Sequence, residues 1–192
     1  MKNKSNFIII LVVLGIIAMS SISFIETYNR LQVMDEQVTA NWAQVENQLK
    51  RRSDLIPNLV NTVKGYAKHE NEVFTNIADA RSKLAGSINN GDVKAVQQSN
   101  NELNSALSRL LVVVENYPTL KADKSFVGLQ DELTGTENRI AVARRDYNES
   151  VKEINAVVRT FPTSMVASIA KVEKREYFEV SESEKATPKV EF

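Results

Sequence analysis

Cysteine is absent from the 192 residues, which excludes disulfides and thiolate metal sites. Glycine (6) and proline (4) are scarce, and aromatic residues make up 7%. A sandwich or barrel needs many turns, so this composition points to long helices. Neither charge sign is in excess, with 24 Lys plus Arg against 24 Asp plus Glu. A nucleic-acid-binding chain would carry a basic stripe or a high pI, which argues against that partner. His69 is the only imidazole. A di-metal carboxylate bundle needs Glu-x-x-His from two helices, and here Tyr66 stands where the Glu should be. A zincin needs a second His four residues on, and Val73 occupies that place. There is no G-x-S-x-G and no phosphate-binding glycine loop. These absences predict a chain that is not an enzyme, with no cofactor, no metal and no small-molecule substrate.

What is present begins with a long apolar run. After MKNK comes FIIILVVLGIIAMSSISFI, Phe7 to Ile25, without a charge. At 1.5 Å per residue it spans about 28 Å, close to a hydrocarbon core. The competing reading is a cleaved signal peptide, with Ala18, Met19 and Ser20 as the small-residue site. The run continues past that site through Ile22, Phe24 and Ile25, and no proline follows before Pro57, which favours a retained anchor. Lys2 and Lys4 lie on one side, while Glu26 and Arg30 cancel on the other. The basic side predicts a cytoplasmic N-terminus and an outward-facing domain.

From Tyr28 onward apolar residues recur every three or four positions. One series is Leu31, Met34, Val38, Trp42, Val45 and Leu49. A second runs Leu59, Val63, Tyr66, Val73, Ile77, Ala80 and Leu84, fading at the turn GSINNGD, Gly86 to Asp92. A third runs Val96, Leu103, Leu107, Leu110, Val114 and Tyr117, up to Pro118. The fourth runs Phe126, Leu129, Leu133, Ile140, Ala143, Tyr147, Ile154, Val157 and Phe161, up to Pro162. Narrow stripes of this kind pack helices around a shared seam. If Asp54 caps a new helix, Pro57 falls in its first turn, where proline costs little. The expected fold is all-α: an N-terminal transmembrane helix, then an antiparallel up-and-down bundle of four long helices. The rival is one helix kinked at Pro57 and running to about Ala85. Expected boundaries are 1–25 for the anchor, 26–161 for the bundle, 162–180 for a short amphipathic helix and 181–192 for a disordered tail.

Four strings, RRSDLIPNLVNTVKGYAKHE, LSRLLVVVENYPTLKA, LTGTENRIAVARRDYN and KREYFE, together resemble the LemA family of bacterial membrane proteins. The resemblance runs in order from about Tyr28 to Glu179 and departs in the GSINNGD turn and the SESEKATPKVEF tail. It implies an N-terminal transmembrane helix followed by an antiparallel helical bundle, and it brings no catalytic residue with it; the expected location is the bacterial inner membrane, crossed once.

Two candidate surfaces follow. A turn at Arg51 to Pro57 would share the membrane-distal end with the turn at Tyr117 to Ser125, gathering Lys50, Arg51, Arg52, Asp54, Asn116, Tyr117, Lys121 and Lys124. Arg and Tyr favour interfaces, so this tip is a candidate docking surface for other membrane or envelope proteins, with Arg51 and Arg52 as its principal charges. The second is FPTSMVASIAKVEKREYF, Phe161 to Phe178, where Met165, Val166, Ile169 and Val172 share a helical face near Lys171, Lys174 and Arg175. That pattern suits either a helix closing the bundle or an interfacial helix on the lipid bilayer. The expected role is a membrane-anchored scaffold. The alternative is a lipid-directed protein that binds or shapes the membrane through this segment. Homo-oligomerisation stays open.

Overall fold

The computed structural model describes residues 2–179. Six helices follow one another: α1 (Lys2–Tyr66), α2 (Asn71–Asn90), α3 (Val93–Val114), α4 (Pro118–Lys121), α5 (Lys124–Arg159) and α6 (Thr163–Ala170). No strand occurs among the described residues, and the protein is all-α.

The expected break at Pro57 does not occur. α1 passes through the proline and continues to Tyr66, so the first turn of the bundle is Ala67 to Glu70. The alternative of one helix continuous through Pro57 holds, but that helix ends well before Ala85. The reason is a single hydrogen bond. Pro57 has no N–H, so the carbonyl of Ser53, four residues earlier, loses its helical donor. Arg81 of α2 supplies one, its Nε donating to that carbonyl at 2.8 Å. Asp54 is consequently a mid-helix residue and not a cap, with its Oδ1 3.9 Å from Arg81 Nη2.

Two compact units divide the chain. One takes in α1 up to Ala40 together with Glu149–Arg175, and the other takes in Asn41–Asn148 and the described residues from Glu176 on. In the second unit α1 and α2 are antiparallel, since Arg81 meets Ser53 while Lys64 lies over the Phe74 ring at 5.2 Å. α2 and α3 are antiparallel through Ser87–Ser99 at 2.8 Å and Lys83–Glu102 at 2.9 Å. α5 runs against α1, because Asn41 bonds the Asp146 carbonyl and Arg51 bonds Glu132. The topology is up-down-up-down. Leu49, Ile56, Leu84, Leu103, Leu110 and Ile140 are among its fully buried side chains. Each contributes roughly 1.5–3 kcal/mol of gross burial energy.

The GSINNGD turn is shorter than its composition indicates. α2 continues to Asn90, and the reversal is made by Gly91 and Asp92 alone. Gly91 takes the left-handed conformation (φ 67) and donates to the Ile88 carbonyl at 3.1 Å, a geometry that favours glycine. Asp92 Oδ1 accepts the N–H groups of Lys94 and Ala95 at 2.9 and 3.1 Å, capping α3. Phe178 is 1% exposed, with the Trp42 ring 6.0 Å away and the Arg144 guanidinium 5.9 Å from its face. Asn148 accepts the Phe178 N–H and donates to its carbonyl, both at 2.9 Å, as a neighbouring strand would.

In the first unit, Leu31, Val38, Val151 and Ile154 are buried, as is Ala167 of α6. The amphipathic helix expected over 162–180 is shorter than that. It stops at Ala170, where Lys171 turns left-handed (φ 55) and the Val172 N–H reaches back to the Ala167 carbonyl at 3.0 Å. From Val172 the backbone has no helical or strand assignment. Asn155 holds Arg175 by both its N–H and its carbonyl at 2.9 Å. The Arg175 guanidinium bonds Asp35 at 2.7 and 3.0 Å. The tail expected to be disordered, 181–192, lies outside the described residues.

Candidate functional site

The structure separates the residues of the expected tip. Lys50, Arg51, Arg52 and Asp54 lie along the body of α1, because the helix does not turn at Pro57. Arg51 is half-exposed and pairs with Glu132 at 2.7 Å. Arg52 is buried at 8% exposure, with Nη1 2.7 Å from Glu137 and 3.4 Å from Asn100 Oδ1. Neither is a spare charge at a turn, and reversing Arg52 to Glu would bury a carboxylate beside a carboxylate.

A turn cluster does exist, with other members. Tyr66 OH donates to Asp123 Oδ2 at 2.9 Å, and Tyr117 OH reaches Glu70 at 3.5 Å, which joins the Ala67–Glu70 turn to the α4 region. Lys121 pairs with Glu115 at 2.7 Å, and Lys124 is exposed. Asp123 caps α5 by accepting the Phe126 and Ser125 N–H groups. Those N–H groups, led by Phe126, and the Tyr66 hydroxyl hold its carboxyl below the usual range. The same hydrogen bond pushes the Tyr66 phenol up. His69 is exposed in the turn.

The buried Arg52 marks a feature that sequence reading missed. It stands at a groove of about 290 Å³ whose apolar lining is Leu59, Leu107, Leu111 and Leu133. Polar lining comes from Arg52, Glu137 and Asn104 among others. Asn104 Oδ1 is shielded from solvent and has no hydrogen-bond partner among the described residues, a costly state for an amide oxygen. The groove lies against α1, α3 and α5. No stripe in the sequence announces it, since Leu107 and Leu133 read as ordinary core positions.

The second candidate surface also divides. Met165 (60%) and Ile169 (64%) are exposed, Val166 is half-buried, and Val172 (6%) is buried. Arg175 is engaged with Asp35, while Lys174 is exposed. Val172 and Arg175 leave the expected face because the helix has already ended. Among the described residues, one helix, near the N-terminus, is long and apolar enough to cross a membrane, and none of its most apolar stretch is buried. This fits a membrane location.

A model of the LemA family matches residues 41–192. This chain belongs to the LemA family. The match takes in the groove, the turn cluster and α6, and it begins beyond the apolar run. Among similar proteins, LemA of Metamycoplasma hominis is 30% identical over 138 residues, covering 71% of this chain and 61% of its own. Magnetosome protein MamQ 1 of Paramagnetospirillum magneticum is 28% identical over 190 residues, covering 84% of this chain and 69% of its own. Magnetosome protein MamQ of Magnetospirillum gryphiswaldense is 26% identical over 192 residues, covering 86% and 71%. The LemA-family resemblance seen in the four strings is thereby shown.

Proposed function

We propose that this LemA-family protein is a membrane-anchored, non-catalytic scaffold whose bundle docks another membrane or envelope protein. It is a single-pass protein of the bacterial inner membrane, with the bundle outside the cytoplasm. The groove beside Arg52 carries this reading. Its leucine lining and shielded Asn104 acceptor have the anatomy of an interface anchor point: an apolar pocket with a polar edge. At about 290 Å³ it is at the lower edge of volumes that enclose a small molecule. That size suits an inserted side chain better than a substrate. The Arg52–Glu137 pair leaves the pocket without net charge, so the occupant is an amphipathic helix rather than a charged tail. Its apolar side chain enters between Leu107, Leu111 and Leu133, and a hydrogen-bond donor meets Asn104 Oδ1.

The test is photo-crosslinking of the full chain in its native membrane, with a benzophenone amino acid at Ser108 or Gln130, both groove-lining positions. The expected result is one discrete adduct that Leu111→Glu removes while the melting temperature stays within a few degrees. Leu111 is 42% exposed and tolerates the change. An adduct unaffected by Leu111→Glu, or formed equally well at Lys121 in the turn cluster, would reject the groove as the docking site.

A further inference from the structure

α6 is amphipathic in the reverse of the sense a closing helix requires. Ala167, a small residue, faces inward at 1% exposure, while Met165 and Ile169, one helical turn apart, are exposed at 60% and 64%. Phe161, in the turn just before the helix, is 77% exposed. A helix that only closed a bundle would turn its largest apolar side chains inward. The chain is continuous with a segment apolar enough to cross a bilayer, and both belong to the same compact unit.

Position within that unit identifies what meets the face. Asp35 and Asn155 both bind Arg175, so they stand level to within one arginine side chain. α5 runs against α1, so its end at Arg159, four residues past Asn155, comes level with Leu31, four before Asp35 and about 6 Å nearer the apolar run, and Phe161 follows in the turn beyond it. There Phe24 and Tyr28 stack at 6.4 Å, both partly exposed, at the end of that run. Aromatic residues at this depth form the belt of a membrane–water interface. Arg159, Lys171 and Lys174 are exposed around α6, placed for lipid headgroups.

We propose that Phe161 and α6 form an interfacial element, lying in the headgroup–acyl boundary of the bilayer that α1 crosses. This rests on the reading of Phe7 to Ile25 as a membrane span and adds a second point of attachment, made by Phe161, Met165 and Ile169.

The absence of cysteine allows a direct test on the full chain. Single substitutions Met165→Cys, Ile169→Cys, Val13→Cys and Glu36→Cys are labelled with an environment-sensitive fluorophore. The protein is then reconstituted into phosphatidylcholine–phosphatidylglycerol vesicles. Nitroxide-bearing lipid should quench the labels at positions 165, 169 and 13 several-fold more than the one at 36. Aqueous iodide should show the opposite order. If position 13 is quenched by the lipid nitroxide while 165 and 169 behave like 36, the interfacial proposal falls and the anchor stands. If position 13 is not quenched, the anchor reading itself falls. Labels at 165 and 169 shielded from both quenchers would mean that a protein surface covers α6, which also overturns the proposal.

Discussion

Pro57 takes one donor out of α1, and Arg81, 28 residues beyond the Ser53 carbonyl it serves, returns one. That exchange makes a measurable prediction. Arg81→Met should destabilise the protein by about 1–3 kcal/mol, because the shielded Ser53 carbonyl is left without a partner. In a Pro57→Ala background the helix regains its own N–H, and the cost of Arg81→Met should shrink to less than about 1 kcal/mol. Urea denaturation of the four variants measures the coupling. Equal costs in both backgrounds would mean that Arg81 acts elsewhere. The Tyr66–Asp123 bond gives a second prediction, and its sign follows from the directions of the shifts. The lowered Asp123 carboxyl contributes stability that is present above the ordinary aspartate range and lost as pH falls through its lowered value. The raised Tyr66 phenol contributes stability that is present below the ordinary tyrosine range and lost as pH rises through its raised value. Asp123→Asn should therefore flatten the acid limb of a melting-temperature profile. Tyr66→Phe should flatten the alkaline limb. His69, exposed in its turn, should change stability by less than about 0.5 kcal/mol on replacement by Ala. A larger loss in thermal unfolding would assign it a structural partner.

At the scale of elements, the long helices were legible in the sequence because each repeats an apolar position every three or four residues. Their ends were less so. Proline at position 57 and the glycine at 86 look like punctuation, yet α1 and α2 run through both. The actual stops are local chemistry at other positions, the left-handed Gly91 and Lys171. The segment after α6 was the least legible. Its apolar spacing fits a helix, but side-chain amides on α5 capture its backbone instead. Asn148 and Asn155 sit seven residues apart on α5, and each bonds both polar groups of one residue, Phe178 and Arg175. Asparagine in a helix interior is a mild mismatch of propensity, and that was the signal available. Asn155→Ala should raise the hydrogen-exchange rate of the Arg175 amide, and Asn148→Ala that of Phe178. Each loss corresponds to about 1–3 kcal/mol of local opening energy. Unchanged protection of these amides would show that packing of Val172 and Phe178 alone holds the segment.

At the scale of the whole molecule, a retained anchor is the expectation that bears most on function. Intact-mass measurement on protein extracted from membranes should show the leader present, and a mature start at Ser21 would remove the basis for a single-pass anchor. Helicity, antiparallel order and the apolar run were determined by the sequence alone, since periodicity and uninterrupted hydropathy are properties of neighbouring residues. The tertiary structure decided what depends on residues far apart. It moved the first turn from Pro57 to Ala67, because the missing donor came from α2. It dispersed the expected arginine tip and made Arg52 part of a groove among α1, α3 and α5. It exposed Met165 and Ile169 while burying Val172, because a helix stop lies between them. In the first two cases a long-range partner, invisible in any local window, set the free energy of a side chain or a carbonyl.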